Sequence, residues 1–159
     1  LQPLAVAKLL EKLVKKEKPD LILLGKLALD SDAGQTGQML AGLLNYSQGT
    51  FVSSIEIKDK EVFLTREIDG GTESIISKLP AVLTADLRLN EPRFVKLPNL
   101  MMARKKTIET IKAEDFGVDT SSKLRTIKVS EPPRRKEGIK VKDINELFQK
   151  LNDIEGIKI

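Results

Sequence analysis

Apolar residues at Leu4, Val6, Leu9, Leu10, Leu13 and Val14 recur at helical spacing with lysines between them, which predicts an amphipathic helix lying on a sheet. Leu21, Ile22, Leu23 and Leu24 then form an unbroken apolar run, the pattern of a buried parallel strand, and Gly25 ends it. Residues 30–38 are polar and small. Residues 36–44 return to helical spacing through Met39, Leu40, Leu43 and Leu44. Beyond them the period changes to that of strands. Residues 51–57 and 61–66 read as a hairpin joined by Lys58, Asp59 and Lys60, a turn follows at Asp69, Gly70 and Gly71, and residues 73–79 resume a strand ahead of Pro80. Residues 81–85 (AVLTA) predict a central buried strand, residues 123–129 alternate like another strand, and residues 141–151 predict an amphipathic helix.

The order strand, loop, helix places residues 30–38 at the carboxyl edge of a sheet, where open α/β folds bind ligands. Ser31, Ala33, Gly34 and Gly37 are small enough for their backbone N–H groups to approach phosphate oxygens, and the helix N-terminus adds a partial positive charge. A nucleotide phosphate site is therefore one reading. The loop lacks the spacing of a dinucleotide fingerprint and has no GK[ST]. The competing reading is a polar loop that caps a helix through Asp32 or Gln35.

Composition narrows the chemistry. The 159 residues, 40% of them hydrophobic, suffice for one domain with a proper core. With neither Cys nor His, the chain has no disulfides, no thiolate or imidazole ligands and no neutral-pH proton shuttle. An enzyme built on it would rely on carboxylates, lysines or Tyr46, so binding, or chemistry supplied by a cofactor, is the better reading. The net charge of +4 is too balanced to argue for nucleic acid, and Tyr46 and the five Phe do not alternate with basic residues as a base-stacking platform requires. No apolar run approaches the roughly twenty residues that cross a bilayer, so no membrane insertion is expected. The amphipathic opening is not a signal peptide. Because the chain starts at Leu1 with a helix feeding a strand, at least one earlier βα unit is expected upstream.

Residues 86–106 (DLRLNEPRFVKLPNLMMARKK) combine Pro92 and Pro98 with more apolar side chains than a solvated loop needs, and end on Arg104, Lys105 and Lys106. Asn99 is placed to cap a helix from Leu100 to about Lys106. That helix either faces the core with a solvated basic end, or presents an anchor to a partner that the basic residues attract.

The run Arg66, Glu67, Ile68, Asp69, Gly70, Gly71, Thr72, Glu73, followed by residues 78–93 (KLPAVLTADLRLNEPR), resembles the signature of the small, or beta, subunit of electron-transfer flavoprotein. The loop at 30–38 and the segment Leu97, Pro98, Asn99 match that family in order and spacing, so the resemblance covers essentially the whole chain. It implies a heterodimer in which FAD sits mainly in the large (alpha) subunit while the small subunit holds a structural AMP. The AMP segment is then Gly25, Lys26, Leu27, Ala28, Leu29, Asp30, Ser31, Asp32, Ala33, Gly34, Gln35 and Thr36. Relatives often have Asp at the position of Ser31 and Cys-Asn at Ala33 and Gly34; main-chain N–H groups at these positions serve equally well.

The resemblance also implies that residues 86–106 form a recognition loop for acyl-CoA dehydrogenases, with Leu97 entering an apolar pocket and Pro98, Asn99, Leu100, Met101, Arg104, Lys105 and Lys106 around it. Met102 replaces a lysine that is methylated in animal mitochondria, and Lys105 stands as a second such position. Electrons would pass on to a membrane quinone oxidoreductase, and the chain itself would be no enzyme. The family's location is the mitochondrial matrix, or the cytoplasm in bacteria. Its small subunits have further N-terminal βα units that complete the AMP pocket.

The expected fold is α/β: a partly parallel sheet of the adenine-nucleotide alpha-hydrolase-like class with an antiparallel hairpin extension, spanning residues 1–129, followed by a linker and arm helix at 130–159. Residues 132–136 (PPRRK) read as an extended basic linker, or as a solvated charge run. Two other classes of function compete. One is a free-standing adenine-nucleotide-binding module of the universal-stress-protein type, which needs no recognition loop. The other is a phosphate-transferring enzyme with Asp30 and Asp32 on a metal, which lacks a P-loop lysine.

Overall fold

The computed structural model describes residues 1–135 and 137–153. The chain forms two compact units, residues 1–124 and 125–159.

The first unit opens with α1 (Pro3–Glu17). Pro3 sits in its first turn, where a missing N–H costs nothing, and Lys15 and Lys16 in the last turn complement the helix dipole. Lys18 ends it in the left-handed region at φ 50°. Then come β1 (Leu21–Gly25), α2 (Thr36–Leu44), β2 (Ser47–Lys58), β3 (Glu61–Ile68), β4 (Gly71–Lys78), β5 (Ala81–Ala85) and α3 (Leu97–Arg104). A single 3-10 turn follows at Ala113–Phe116.

The five strands make one sheet in the order β1-β5-β2-β3-β4. β5 runs parallel to both β1 and β2, with Gly25 opposite Ala85 and Ser47 opposite Ala81, while β2, β3 and β4 form an antiparallel meander. β2 therefore joins the parallel and antiparallel parts of this one sheet. Its first half pairs with β5 and its second with β3, and the register shifts between Gly49 and Val52 and again between Val52 and Ser54. Phe51, at φ 56°, lies in that irregularity. Gly49 is required there, because a Cβ would stand 2.6 Å from Leu64 Cδ1 and 2.9 Å from Leu83 Cδ2.

The alternation of β5 divides the core. Val82 packs with Ala7, Leu40 and Ala41 under the two helices, whereas Ala81 and Leu83 pack with Val52, Val62 and Leu64 on the other face. Burial of each of the Val and Leu side chains contributes about 2 kcal/mol, so this two-sided strand is the axis of the fold.

The mixed α/β architecture agrees with the sequence reading, and the extents of α2 and β5 match it. Other boundaries differ. β2 begins at Ser47 rather than at residue 51, because its polar, small start (Ser47, Gln48, Gly49, Thr50) shows no alternation yet finds a partner in β5. β4 spans Gly71–Lys78 rather than 73–79.

α3 begins at Leu97, so Asn99 lies inside the helix instead of capping it; Lys96 stands at the N-cap without a side-chain bond, and Pro98 fills the first turn. Residues 123–129 form no strand. Leu124, Ile127 and Val129 are exposed, and an alternating run without a neighbouring strand leaves its backbone to water.

In the second unit α4 (Ile144–Asn152) starts later than residue 141, because Asp143 caps it by accepting from the Glu146 backbone N–H at 2.9 Å. Glu146 in turn accepts from the Lys142 N–H at 2.8 Å, which holds its carboxyl below the usual range. Ile139, Val141, Leu147 and Leu151 line an apolar groove within this unit. Arg134 and Arg135 are exposed, and Lys136 lies outside the described residues.

Candidate functional site

β1 and β5 end side by side, and the loops that leave them diverge. The Lys26 N–H donates to the Ala85 carbonyl at 3.2 Å, carrying the parallel ladder one step past the strand ends. The first loop then folds back: the Asp32 N–H donates to the Ala28 carbonyl at 2.9 Å, and Asp32 and Gly34 adopt φ of 48° and 56°. A side chain at Gly34 would be strained by that angle although the space around it is adequate.

The loop enters α2 at Gln35, which occupies the N-cap in an αR conformation with no side-chain bond; Asp32 lies further back. The expected side-chain cap is therefore not made, and the first-turn amides of α2 are left to another acceptor.

This folding gathers Gly25, Lys26, Leu27, Ala28, Ser31, Ala33, Gly34, Gln35 and Thr36 around one cavity of about 250 Å³. α1 closes it with Pro3, Val6 and Leu10, of which helical periodicity marked Val6 and Leu10 as facing the sheet. Leu29, Asp30 and Asp32 do not line it and are exposed.

Gly37, grouped above with the small residues that admit a ligand, also lines the cavity and has a second task. It is buried against β5, where a Cβ would stand 2.4 Å from Thr84 Cγ2. Thr84 is itself buried and accepts a hydrogen bond from the Phe51 N–H at 3.0 Å. The helix N-terminus is thus held against the sheet by the absence of a side chain.

The donor set fits a phosphate: backbone amides at a helix start and no carboxylate among the lining residues, with Lys26 in the wall although its ammonium is paired with Asp86. Among the described residues, no cluster of three or more metal-ligating side chains exists, so Asp30 and Asp32 have no third acidic partner.

A second, larger cleft of about 520 Å³ adjoins it, with Lys26 in both walls. Its charged residues other than Asp69 are paired. Lys26 Nζ donates to Asp86 Oδ2 at 2.8 Å, Arg88 pairs with Glu67, and Arg66 pairs with Glu73 at 3.1 Å while also donating to the Thr50 carbonyl and hydroxyl at 3.2 and 2.8 Å. Arg66 so laces β2, β3 and β4 together. The Lys26 ammonium, and next the Arg88 N–H, hold the Asp86 carboxyl below the usual aspartate range.

The Lys26–Asp86 and Arg88–Glu67 pairs join residues 60 and 21 positions apart, and nothing in local spacing announces them.

Past Asp86 the chain turns away from the sheet. Leu97, Pro98, Asn99, Leu100, Met101, Arg104, Lys105 and Lys106 are all exposed, and α3 has no buried residue. A core-facing α3 is thereby excluded. Leu97, at 68% exposure, opens the helix with Met101 and Met102 beside it as further uncovered apolar side chains.

The family model described as "Electron transfer flavoprotein domain" matches residues 1–116. The chain belongs to the electron transfer flavoprotein family. It is 56% identical over 157 residues to "Electron transfer flavoprotein subunit beta" of Bos taurus, covering 99% of this chain and 62% of that protein. The protein of the same name from Bradyrhizobium diazoefficiens is 51% identical over 98% of this chain and 63% of its own length. "Electron transfer flavoprotein subunit beta, mitochondrial" of Oryza sativa subsp. indica is 49% identical over 96% of this chain and 60% of its own length. The chain thus spans about three fifths of these relatives. The matched family domain contains the loop cavity, the charged cleft and α3 alike. Among the described residues no helix is long and apolar enough to cross a membrane.

Proposed function

We propose that the chain acts as the small subunit of a heterodimeric electron transfer flavoprotein, holding AMP in the loop cavity and docking electron-donating dehydrogenases through α3. The observation that carries the first part is the uncapped start of α2 facing a cavity whose wall contains Lys26 and no acid. The phosphate would accept from the first-turn amides, with the ribose and base along the apolar side formed by Pro3, Val6 and Leu10. At about 250 Å³ the cavity is below the usual range for small-molecule sites, roughly 300–1,000 Å³, so further wall is expected from other parts of the assembly.

The docking part rests on uncovered apolar residues on a proline-stiffened segment, which lose little freedom on binding. Acyl-CoA dehydrogenases are the partners assigned to it, and a membrane quinone oxidoreductase is the acceptor. FAD, bound mainly to the large subunit, supplies the redox chemistry; this chain contributes nucleotide binding, docking and an arm at 130–159 that clasps the large subunit. The compartment is the mitochondrial matrix, or the cytoplasm of a bacterium.

The test is to purify the heterodimer with its natural N-terminus and identify the released nucleotides by mass spectrometry. Equimolar AMP is expected, with Gly34→Val retaining much less because its φ disfavours a branched residue. A flavin-loaded heterodimer carrying no AMP refutes the nucleotide assignment.

A further inference from the structure

Lys26 belongs to the wall of the loop cavity, yet its ammonium is committed elsewhere, to Asp86 at the root of residues 86–106. Asp86 is only 8% exposed and uses every polar group it has. Its Oδ2 accepts from Lys26, its Oδ1 accepts from the Arg88 N–H at 3.1 Å, its own N–H donates to the Val52 carbonyl at 2.9 Å, and its carbonyl accepts from the Leu89 N–H at 3.1 Å. The last of these closes a tight turn over residues 86–89, and Arg88 is pinned to Glu67 of β3. Leu89 packs on the core, but α3 buries nothing. The direction in which the segment leaves the sheet is therefore set at this turn and not by packing further along.

We propose that the Lys26–Asp86 ion pair is a joint coupling the nucleotide loop to the docking segment, with Lys26 as a positioning residue for α3 and Asp86 as one for the nucleotide loop. This rests on the functional reading given above.

The physical basis is that the pair is anchored at both of its backbones. Lys26 is the first residue after β1, and its backbone is fixed by Ala85, the residue just before Asp86. A nucleotide that orders the loop restrains the Lys26 side chain, and a restrained ammonium holds the half-turn of Asp86; loosening either end loosens the other, as linkage requires. Without Lys26 the buried carboxylate keeps only the Arg88 amide as a side-chain partner and turns toward water, taking the 86–89 turn with it.

Asp86 is absent from the wall of the nucleotide cavity, and Lys26 is remote in sequence from α3. This separation makes a crossed test decisive. In the full-length heterodimer, Asp86→Asn is expected to release AMP about fivefold faster on dilution, measured by mass spectrometry of the retained nucleotide. Lys26→Met, compared at matched AMP content, is expected to raise the KM of an acyl-CoA dehydrogenase for the flavoprotein about fivefold, the lower end of typical coupling factors. The conservative variants Lys26→Arg and Asp86→Glu, which keep an ion pair of the same sense, are expected to lose much less of either property, which general destabilisation does not explain.

Leu97→Ala serves as the reference for docking itself. If Leu97→Ala raises KM while Lys26→Met leaves it at the wild-type value, or if Asp86→Asn retains AMP like wild type, the joint is refuted and the docking reading stands. If both Leu97→Ala and Lys26→Met leave KM unchanged, the docking reading falls and the coupling with it.

Discussion

The loops that follow β1 and β5 leave the same edge of the sheet from strands paired residue for residue, yet they end in opposite circumstances. The first folds back under α1 and α2, and its return is secured by Gly37 lying directly on Thr84. The second is tied down only at residues 86–89 and then runs outward into a helix with no buried residue. The difference lies in where their apolar residues go. Leu27 of the first loop lines a cavity, whereas Leu97, Met101 and Met102 of the second remain uncovered. Uncovered apolar groups on a proline-bearing segment are the feature on which the docking proposal rests, and a loop closed on its own helix is the feature on which the ligand proposal rests.

The largest effect that separates the two regions is expected at Gly37. Gly37→Ala puts a methyl within 2.4 Å of a β-branched, buried side chain, and should destabilise the protein by about 2 to 3 kcal/mol in urea unfolding, near the top of the range for overpacking. Thr84→Ser removes the offending Cγ2 and keeps the hydroxyl that Phe51 uses, so the double substitution should recover part of the loss. An unaltered midpoint for Gly37→Ala would mean that the helix start is not wedged on the sheet at all.

Leu97→Ala should do the reverse: stability unchanged, because the side chain is mostly in water, but dehydrogenase docking weaker by about 2 kcal/mol, as for a hot-spot truncation. Replacing Arg104, Lys105 and Lys106 by Gln should lower the association rate at low salt and have little effect once screening is strong. Stopped-flow association over a salt series measures both. A Leu97→Ala protein that unfolds early would move this residue from the docking surface to the core.

In the second unit, Asp143→Ala removes the α4 cap and should cost that helix about 1 kcal/mol. Circular dichroism of the complete chain should show a small helical loss with the 1–124 unit melting as before. A change in that main transition contradicts the separation.

The smallest effect is confined to acid. Because Lys26 and the Arg88 amide hold the folded Asp86 carboxyl below its unfolded value, about 3.9, its charged form stabilises the fold fully above that value. The contribution is lost as pH falls through the lower, folded value. The stability difference between wild type and Asp86→Asn should therefore be constant near neutrality and shrink below about pH 4. A difference that grows on acidification has the wrong sign for this ion pair.

Local patterns in the chain determined much of the molecule. Helical spacing in residues 4–14 and 39–44, the unbroken run at 21–24 and the alternating hairpins correspond to α1, α2, β1 and the meander, since each depends on neighbours within a few residues. The loop cavity was legible for the same reason, as a strand, small polar residues and a helix in succession. Tertiary structure alone decided the strand order β1-β5-β2-β3-β4 and the entry of the polar residues Ser47, Gln48 and Gly49 into a parallel ladder. It decided that residues 123–129 have no strand to pair with, that Pro98 lies inside α3 rather than before it, and that Gly37 lies packed on Thr84 as well as in the cavity wall. The ion pair of Lys26 with Asp86, sixty residues away, is of the same kind. A period along the chain records which face a residue turns toward the core, but which residue it meets there depends on how the strands are ordered, and that choice is made by contacts between distant segments.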